Sequence, residues 1–386
     1  MQIRLFTGKG GVGKTTIAAA TGIKAALEGY KTLVMSIDPA HSLSDSFDIE
    51  LGPEPVQIME NLYAQELNVY YSMKKYWESL RKIIFEMLRW QGLDRIEAEE
   101  LSALPGMEEA SAFLWLEKYY SEDEFDFVVI DSAPTGETLT MLSLPQMTKW
   151  WTSKLFALPK FAARTMGMAI NATFGIPFTK SMDELEFLIE KINSINSVLM
   201  DSEKTAVRIV LNPEKMVIEE ARRAYTYLEM YGFNVDSVLI NKIIPDGEGG
   251  DFFKNYIKSQ NTYINIIKKD FYPLKVFELS HSGEEIFGFE RIKEFASKIY
   301  ENDSPSNIYS KHKFFNIKEF SNGYLMETPI PFGDDSVILV LKKGSCVIIE
   351  LADKRKHIYL PRFLQYYELG NHYFKDGMLN MEFVKD

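Results

Sequence analysis

The chain has 386 residues, 46% hydrophobic and 25% charged, a globular composition that excludes a disordered protein. Its 43 Lys and Arg against 55 Asp and Glu leave a net charge of −12, which opposes a general nucleic-acid surface. The single cysteine, Cys346, excludes an intrachain disulfide and an intrachain cysteine cage for a metal, and the five histidines lack ligand spacing.

Residues 3–7 read as a buried strand, followed by a glycine loop and an Ala-rich helix over 15–28 that Gly29 stops. Before the strand there is no basic region, apolar run and cleavage site, so no secretory signal is expected and the cytoplasm is the simplest location. Further apolar runs at 32–37, 127–130, 207–211, 235–240 and 274–279 lack polar alternation, as strands buried on both faces do. Their alternation with helical patterns predicts an α/β fold, a doubly wound and mainly parallel sheet that binds ligands at the carboxyl ends of its strands.

Residues 70–120 and 141–204 are helical in pattern and rich in Met, Trp, Phe and Leu, and are expected to be helical insertions packed on one side of that sheet. Within 141–178, Lys149, Lys154, Lys160 and Arg164 interrupt the apolar pattern and Pro159 and Pro177 break it. Its longest uncharged run, 165–179, is shorter than the roughly 20 residues of a membrane span. Residues 246–251 read as a flexible polar loop and 301–312 as a polar linker. From 313 to 386 the pattern changes to short strands at 336–341, 346–351, 357–360, 373–374 and 379–383, with turns at Lys343-Gly344, Ala352-Asp353 and Lys375-Asp376-Gly377. This predicts a small all-β, sandwich-like module without a helix.

The string Gly8-Lys9-Gly10-Gly11-Val12-Gly13-Lys14-Thr15-Thr16 contains the P-loop pattern between a strand and a helix, which predicts a P-loop NTPase domain. Its glycines let backbone N–H groups turn toward phosphates, and the helix N-terminus adds its dipole. Lys14 is expected on the β- and γ-phosphates of ATP, and the Thr15 hydroxyl on Mg²⁺. Asp38 ends the second strand and is followed by Pro39, so its carboxylate can orient water toward the γ-phosphate or hold Mg²⁺ through water. As an isolated residue it reads as a turn or cap aspartate, the commoner use of Asp-Pro. Asp131 ends the strand at 127–130 and is placed to hold Mg²⁺ through water, with Pro134, Thr135 and Gly136 in a switch loop behind it.

The loop with its additional Lys9, the stretch DPAHSLSDSF at 38–47 and DSAPTGETLTMLSLP at 131–145 together resemble the ArsA-type ATPases. That family includes arsenite-pump ATPases and ATPases that target tail-anchored membrane proteins. LPGMEE at 104–109 and Leu239-Ile240-Asn241 also match, and the resemblance covers about residues 1–300. It implies a homodimer in which Lys9 reaches the partner's nucleotide, Asp38 as the switch I aspartate that activates water, and Asp45 as a second switch I carboxylate. It makes Asp131 the switch II aspartate and sets Asn241 against the adenine edge, where an amide offers a donor and an acceptor. The module at 313–386 resembles the small-heat-shock, α-crystallin-like domain appended to some members, through KGSCVIIELADKRKHIYLP and YFKDGMLNMEFV.

Several departures shape the functional expectation. Metalloid-binding pumps of the family use clustered cysteines, and eukaryotic targeting members join their dimer through zinc on a Cys-x-x-Cys pair; neither set is present. No zinc or metalloid site is therefore expected. Glu137 stands where many relatives carry His, and there is one P-loop rather than two. The expected function is a dimeric ATPase that handles hydrophobic client helices, such as tail anchors, and works with a membrane receptor. Met141, Met147, Trp151, Phe156, Met166, Met168 and Phe174 are the expected lining of a client groove, because methionine adapts to varied apolar partners. Taken singly, each of these residues reads more readily as the core of its own subdomain, and the groove reading rests on them collectively. The alternatives are the driving subunit of an arsenite or antimonite exporter and a partitioning or septum-site ATPase.

Overall fold

The computed structural model describes residues 1–38, 42–68, 70–78, 85, 92–96, 107–133, 135–143, 178–247, 250–311, 314–333, 338–352 and 354–385. Eight strands form the main sheet: β1 (Gln2–Thr7), β2 (Thr32–Ser36), β3 (Val56–Met59), β4 (Leu62–Glu66), β5 (Phe127–Asp131), β6 (Thr205–Leu211), β7 (Val235–Ile243) and β8 (Lys275–Ser280). Their order is β3-β4-β2-β5-β1-β6-β7-β8, and only β3 runs antiparallel to its neighbour. The six parallel strands expected from continuous apolar runs are present. β2, β5 and β6 are buried along their whole length because helices cover both faces.

The helices are α1 (Lys14–Leu27), α2 (Ser42–Phe47), α3 (Met107–Ser121), α4 (Phe178–Leu199), α5 (Lys215–Tyr231), α6 (Gly250–Asp270) and α7 (Phe289–Ile299), with short helical stretches at 70–78 and 135–143. In α1, Ala18, Ala19 and Ala20 are fully buried, so small side chains let the helix lie close to the sheet. Gly250 and Asp251, expected in a flexible loop, instead open α6. No helix among the described residues is long and apolar enough to cross a membrane.

The described C-terminal part of 70–120 is helical, as its pattern predicts. α3 bridges β4 and β5, and Phe113, Trp115 and Tyr119 are fully buried in the common core. Their polar ends are satisfied: Trp115 Nε1 donates to Ser72 Oγ at 3.0 Å and Tyr119 OH to Gln65 Oε1 at 2.9 Å. The aromatic side chains Phe113, Trp115 and Tyr119 are here core packing, a buried Phe stabilising by roughly 1.5–3 kcal/mol. α4 lies against α3 and is tied to it by Lys191 Nζ and Glu117 Oε2 at 2.5 Å.

The stretch expected as a linker is docked. Arg4 on β1 and Arg208 on β6, both 0% exposed, reach out to its backbone. Arg4 donates to the Pro305 carbonyl at 3.1 Å and to that of Ser306, and Arg208 to the Pro305 and Asn307 carbonyls at 3.1 and 2.8 Å. A buried carboxylate beside them, Asp236, pairs with Arg208 Nε at 3.3 Å. Burial first, then the charge of Arg208, lowers Arg4 to about 9.

Beyond the docked segment lies an all-β module. One sheet has the order β14-β15-β10-β9, from β9 (Asn316–Phe320), β10 (Gly323–Pro329), β14 (Glu368–Lys375) and β15 (Met378–Val384). The other is β11-β12-β13, from β11 (Ile338–Lys343), β12 (Cys346–Leu351) and β13 (Lys354–Tyr359). Alternate residues of β12 are buried, which is the one-sided pattern of an antiparallel sheet. Asp376 and Gly377 close the β14–β15 hairpin with φ of 54° and 75°, both left-handed, as a tight turn requires. Two expectations for the module are corrected. β9 and β10 precede the expected strands, and a 3₁₀ turn, Arg362–Tyr366, interrupts a chain expected to be without helix.

Candidate functional site

The site forms at the carboxyl ends of β5, β1 and β6, three neighbours at the point where the chain's winding direction reverses. Three buried side-chain oxygens without a hydrogen-bond partner lie at these ends: Asp131 Oδ1, Thr7 Oγ1 and Asn212 Oδ1. Buried polar atoms are ordinarily paired, so their clustering here fits a polar ligand.

The glycine loop leaves β1 and enters α1. Gly8 has φ of 153°, and a Cβ there would lie 2.1 Å from the Val210 carbonyl oxygen, so only glycine permits this approach to β6. Gly13 has φ of 97°, and a Cβ would meet Asn241 Nδ2 at 2.4 Å. The Lys14 ammonium, in a side chain 6% exposed, hydrogen-bonds back to the Lys9 carbonyl at 3.4 Å. Burial lowers its pKa, opposed by Asp131, Asp38, Glu220 and Glu137 in that order. A buried ammonium ringed by carboxylates is poised to exchange them for phosphate oxygens.

Asp131 is 0% exposed. Burial pushes its carboxyl up to about 7, against the Thr15 hydroxyl and Lys14, and Asp38 raises it further. The Ser36 hydroxyl donates to Asp131 Oδ2 at 3.5 Å and accepts the Asp38 N–H at 3.3 Å, linking the two aspartates through one side chain. Asp131, Asp38, Lys14 and Thr15 are thus gathered at one place, and a divalent cation fits there. The buried, unpartnered Oδ1 of Asp131 leaves one carboxylate oxygen for such a ligand.

The other expected site residues fall around this centre. Lys9 is half-buried and Asp45 exposed on α2; Thr135 is buried, while Gly136 and Glu137 are exposed. Pro134 lies outside the described residues, as do Met147, Trp151, Phe156, Met166, Met168 and Phe174 of the expected client groove. Met141 is 4% exposed, so in this conformation it belongs to the core rather than to an open groove. Asn241 donates Nδ2 to the Val12 carbonyl at 2.9 Å, which leaves its Oδ1 and second N–H for a ligand. With Gly13, Thr16, Lys242, His281 and Phe287 it lines a crevice beside the loop.

Three site residues were missed because each is a lone charge whose partner is distant in sequence. Glu66, at the end of β4, accepts the Leu43 and Ser44 N–H groups at 2.9 and 2.8 Å and the Ser44 hydroxyl at 2.7 Å. It holds the start of α2, where an anion also suits the helix dipole. Glu220 on α5 accepts from Thr135 Oγ1, and Lys242 donates to the glycine loop.

Comparison with known proteins bears on these motifs. Residues 1–301 match the ArsA ATPase family, described as anion-transporting ATPase, and residues 321–383 match an HSP20-like domain found in ArsA. The chain is 37% identical over 388 residues to a Chlorobaculum tepidum protein named "Putative arsenical pump-driving ATPase", covering 99% of this chain and 96% of that protein. An Aquifex aeolicus protein of that name, numbered 1, is 36% identical over 382 residues and 95% of each chain. An Aspergillus terreus protein named "ATPase get3" is 28% identical over 308 residues, 78% of this chain and 91% of that protein. With its P-loop, its aspartates and its C-terminal β module in place, the chain belongs to the ArsA ATPase family.

Proposed function

We propose that the protein is a Mg²⁺-dependent, homodimeric cytoplasmic ATPase that couples ATP hydrolysis to the handling of hydrophobic client helices such as tail anchors. The hydrolytic part is supported by the gathering of Lys14, Asp131 and Asp38 behind the glycine loop. Lys14 binds the β- and γ-phosphates, and the loop N–H groups and the α1 N-terminus hold the remaining charge. Asp38 orients a water for in-line attack and accepts its proton. Thr15 and Asp131 would hold Mg²⁺, which supplies charge neutralisation on the phosphate oxygens. Lys9 reaches the partner subunit's nucleotide, and Asp45, Thr135 and Gly136 respond to the γ-phosphate. Asn241 reads the adenine edge.

The observation that carries the client reading is the position of the single cysteine. Cys346 lies on β12 of the module, so the ATPase part has no thiolate for a metalloid. Tail-anchored segments are then the natural cargo of the apolar residues at 141–178, delivered to a membrane receptor. The second reading, an arsenite or antimonite pump-driving subunit, is favoured by the names of the relatives at 37% and 36% identity.

Co-expression with a tail-anchored substrate, followed by copurification and ATPase assays with and without arsenite, separates the two. The client reading expects a complex that replacement of Met166, Met168 and Phe174 by Ser releases, and no metalloid stimulation. No complex, together with stimulation at sub-millimolar arsenite, would establish the pump reading.

A further inference from the structure

Strand β7 ends on an irregularity that serves the glycine loop. Its pairing with β8 shifts register between Ile240 and Ile243, and Lys242 within this bulge has φ of 59°. That left-handed conformation is costly for a residue with a side chain and persists where its surroundings demand it. In a regular strand, Asn241 and Lys242 would point to opposite faces. Here both reach the same loop. Asn241 Nδ2 donates to the Val12 carbonyl at 2.9 Å, and Lys242 Nζ donates to the Gly11 carbonyl at 2.8 Å.

These acceptors are successive carbonyls of the loop. A trans peptide is planar, so a carbonyl held in one direction sends the next residue's N–H in the opposite one. Fixing the Gly11 carbonyl therefore sets the Val12 N–H, and fixing the Val12 carbonyl sets the Gly13 N–H. Gly11 has φ of 80°, and a Cβ built there would meet nothing within 4 Å, so no close neighbour packs against that side of the residue. Restraint from outside is what such a peptide needs.

We propose that Lys242 is a positioning residue for nucleotide binding. Its ammonium holds the Gly11 carbonyl away from the phosphates and so presets the loop N–H groups toward them. This rests on the reading of the loop as an ATP site and adds a residue that the P-loop pattern does not contain. A charge-assisted hydrogen bond to a carbonyl is among the stronger neutral-pH contacts available for this purpose. The left-handed backbone at Lys242 is the cost of aiming two adjacent side chains at two adjacent peptides.

The test compares wild type, Lys242→Gly, Lys242→Met, Lys242→Arg and Lys14→Ala in binding of a fluorescent ADP analogue and in thermal unfolding without nucleotide. Lys242→Gly removes the ammonium and also the left-handed strain. The proposal expects it to bind about tenfold more weakly than wild type, with a melting temperature no lower than wild type. A merely structural lysine would move both quantities in the same direction. Lys242→Met is expected to share the binding loss, and Lys242→Arg to restore most of the affinity. The loss should persist at about 1 M salt, where the Debye length is about 3 Å and general attraction of an anion is screened. Wild-type affinity in Lys242→Gly and Lys242→Met would overturn the proposal, as would a defect that disappears at high salt. A wild-type protein that binds no nucleotide would instead overturn the ATPase reading on which it rests.

Discussion

The Thr135 hydroxyl donates to the Glu220 carboxylate at 3.2 Å, joining the start of the helical stretch after β5 to the first half of α5. The second half of α5 carries the β module. Thr226 Oγ1 donates to the Pro331 carbonyl at 2.5 Å, the Arg222 guanidinium lies 5.7 Å from the Phe332 ring centre, and Tyr225 meets that ring at 6.3 Å. One helix therefore touches a candidate phosphate-sensing segment at one end and the HSP20-like domain at the other. A double-mutant cycle with Thr135→Val and Glu220→Gln, measured by urea unfolding without nucleotide, is expected to give a coupling of about 0.5–1.5 kcal/mol. With saturating nucleotide the coupling should change, because Glu220 also lies in the electrostatic surroundings of Lys14. Additive losses in both conditions would separate the segment from the helix.

Docking of the module also depends on Lys356. Its side chain is 3% exposed and donates to the Tyr231 carbonyl at 2.7 Å, at the C-terminus of α5 where a cation complements the helix dipole. The Phe314 ring centre lies 4.5 Å from the same ammonium. Lys356→Met is expected to cost about 1.5–3 kcal/mol and to open 301–320 to limited proteolysis. Unchanged stability and an unchanged digestion pattern would show that the module is held by other contacts.

Glu229, near the end of α5, is 3% exposed and accepts the Val235 N–H at 3.3 Å. Burial pushes its carboxyl up to about 8, opposed by that N–H. The folded protein keeps a proton that the unfolded chain releases near 4.5. The resulting stability is full below pH 4.5 and is lost as pH rises toward 8, at up to about 1.4 kcal/mol per pH unit. Glu229→Gln keeps the acceptor and removes the titration. It should match wild type near pH 4.5 and exceed it in stability at pH 8. The same difference at both pH values would mean that Glu229 ionises with its ordinary affinity.

What the sequence made legible follows from chemistry that is local in the chain. β1, β2, β5 and β6 show as mainly apolar runs because both faces are covered, and the glycine loop shows because its spacing is dictated by phosphate contacts. β3 was missed because its four residues are only half-buried at the sheet edge, and β9 because Asn316–Phe320 is mostly exposed. Arg4 and Arg208 sit inside otherwise apolar strands, and only the folded chain brings residues 305–307 to them. Glu66, Glu220 and Lys242 are ordinary charges until the fold sets each against a switch segment or the loop. The aromatic residues of α3 show the limit of composition, since core and client surface draw on the same side chains.

Lys9 serves the partner subunit's nucleotide in the proposed dimer. Mixing Lys9→Ala chains with Asp38→Asn chains then concentrates both defects in one site of a mixed dimer and leaves the other site intact. Activity should reappear on mixing, up to about half of the wild-type value per mixed dimer if the two sites act independently. No recovery, with mixed dimers verified by tagged copurification, would assign Lys9 to its own chain's nucleotide.

The central claim is that Lys14, Asp38 and Asp131 form a hydrolytic ATP site, and Asp38→Asn tests it most directly. ATP binding and single-turnover hydrolysis should be measured on the same preparation with Mg²⁺ present, beside wild type and Lys14→Ala. The account predicts that Asp38→Asn binds ATP about as tightly as wild type yet hydrolyses it about 10²–10⁴-fold more slowly, as loss of a water-orienting base implies. Lys14→Ala should lose binding itself. Hydrolysis by Asp38→Asn at the wild-type rate would contradict the account, because the carboxylate beside the loop would then have no part in the chemistry.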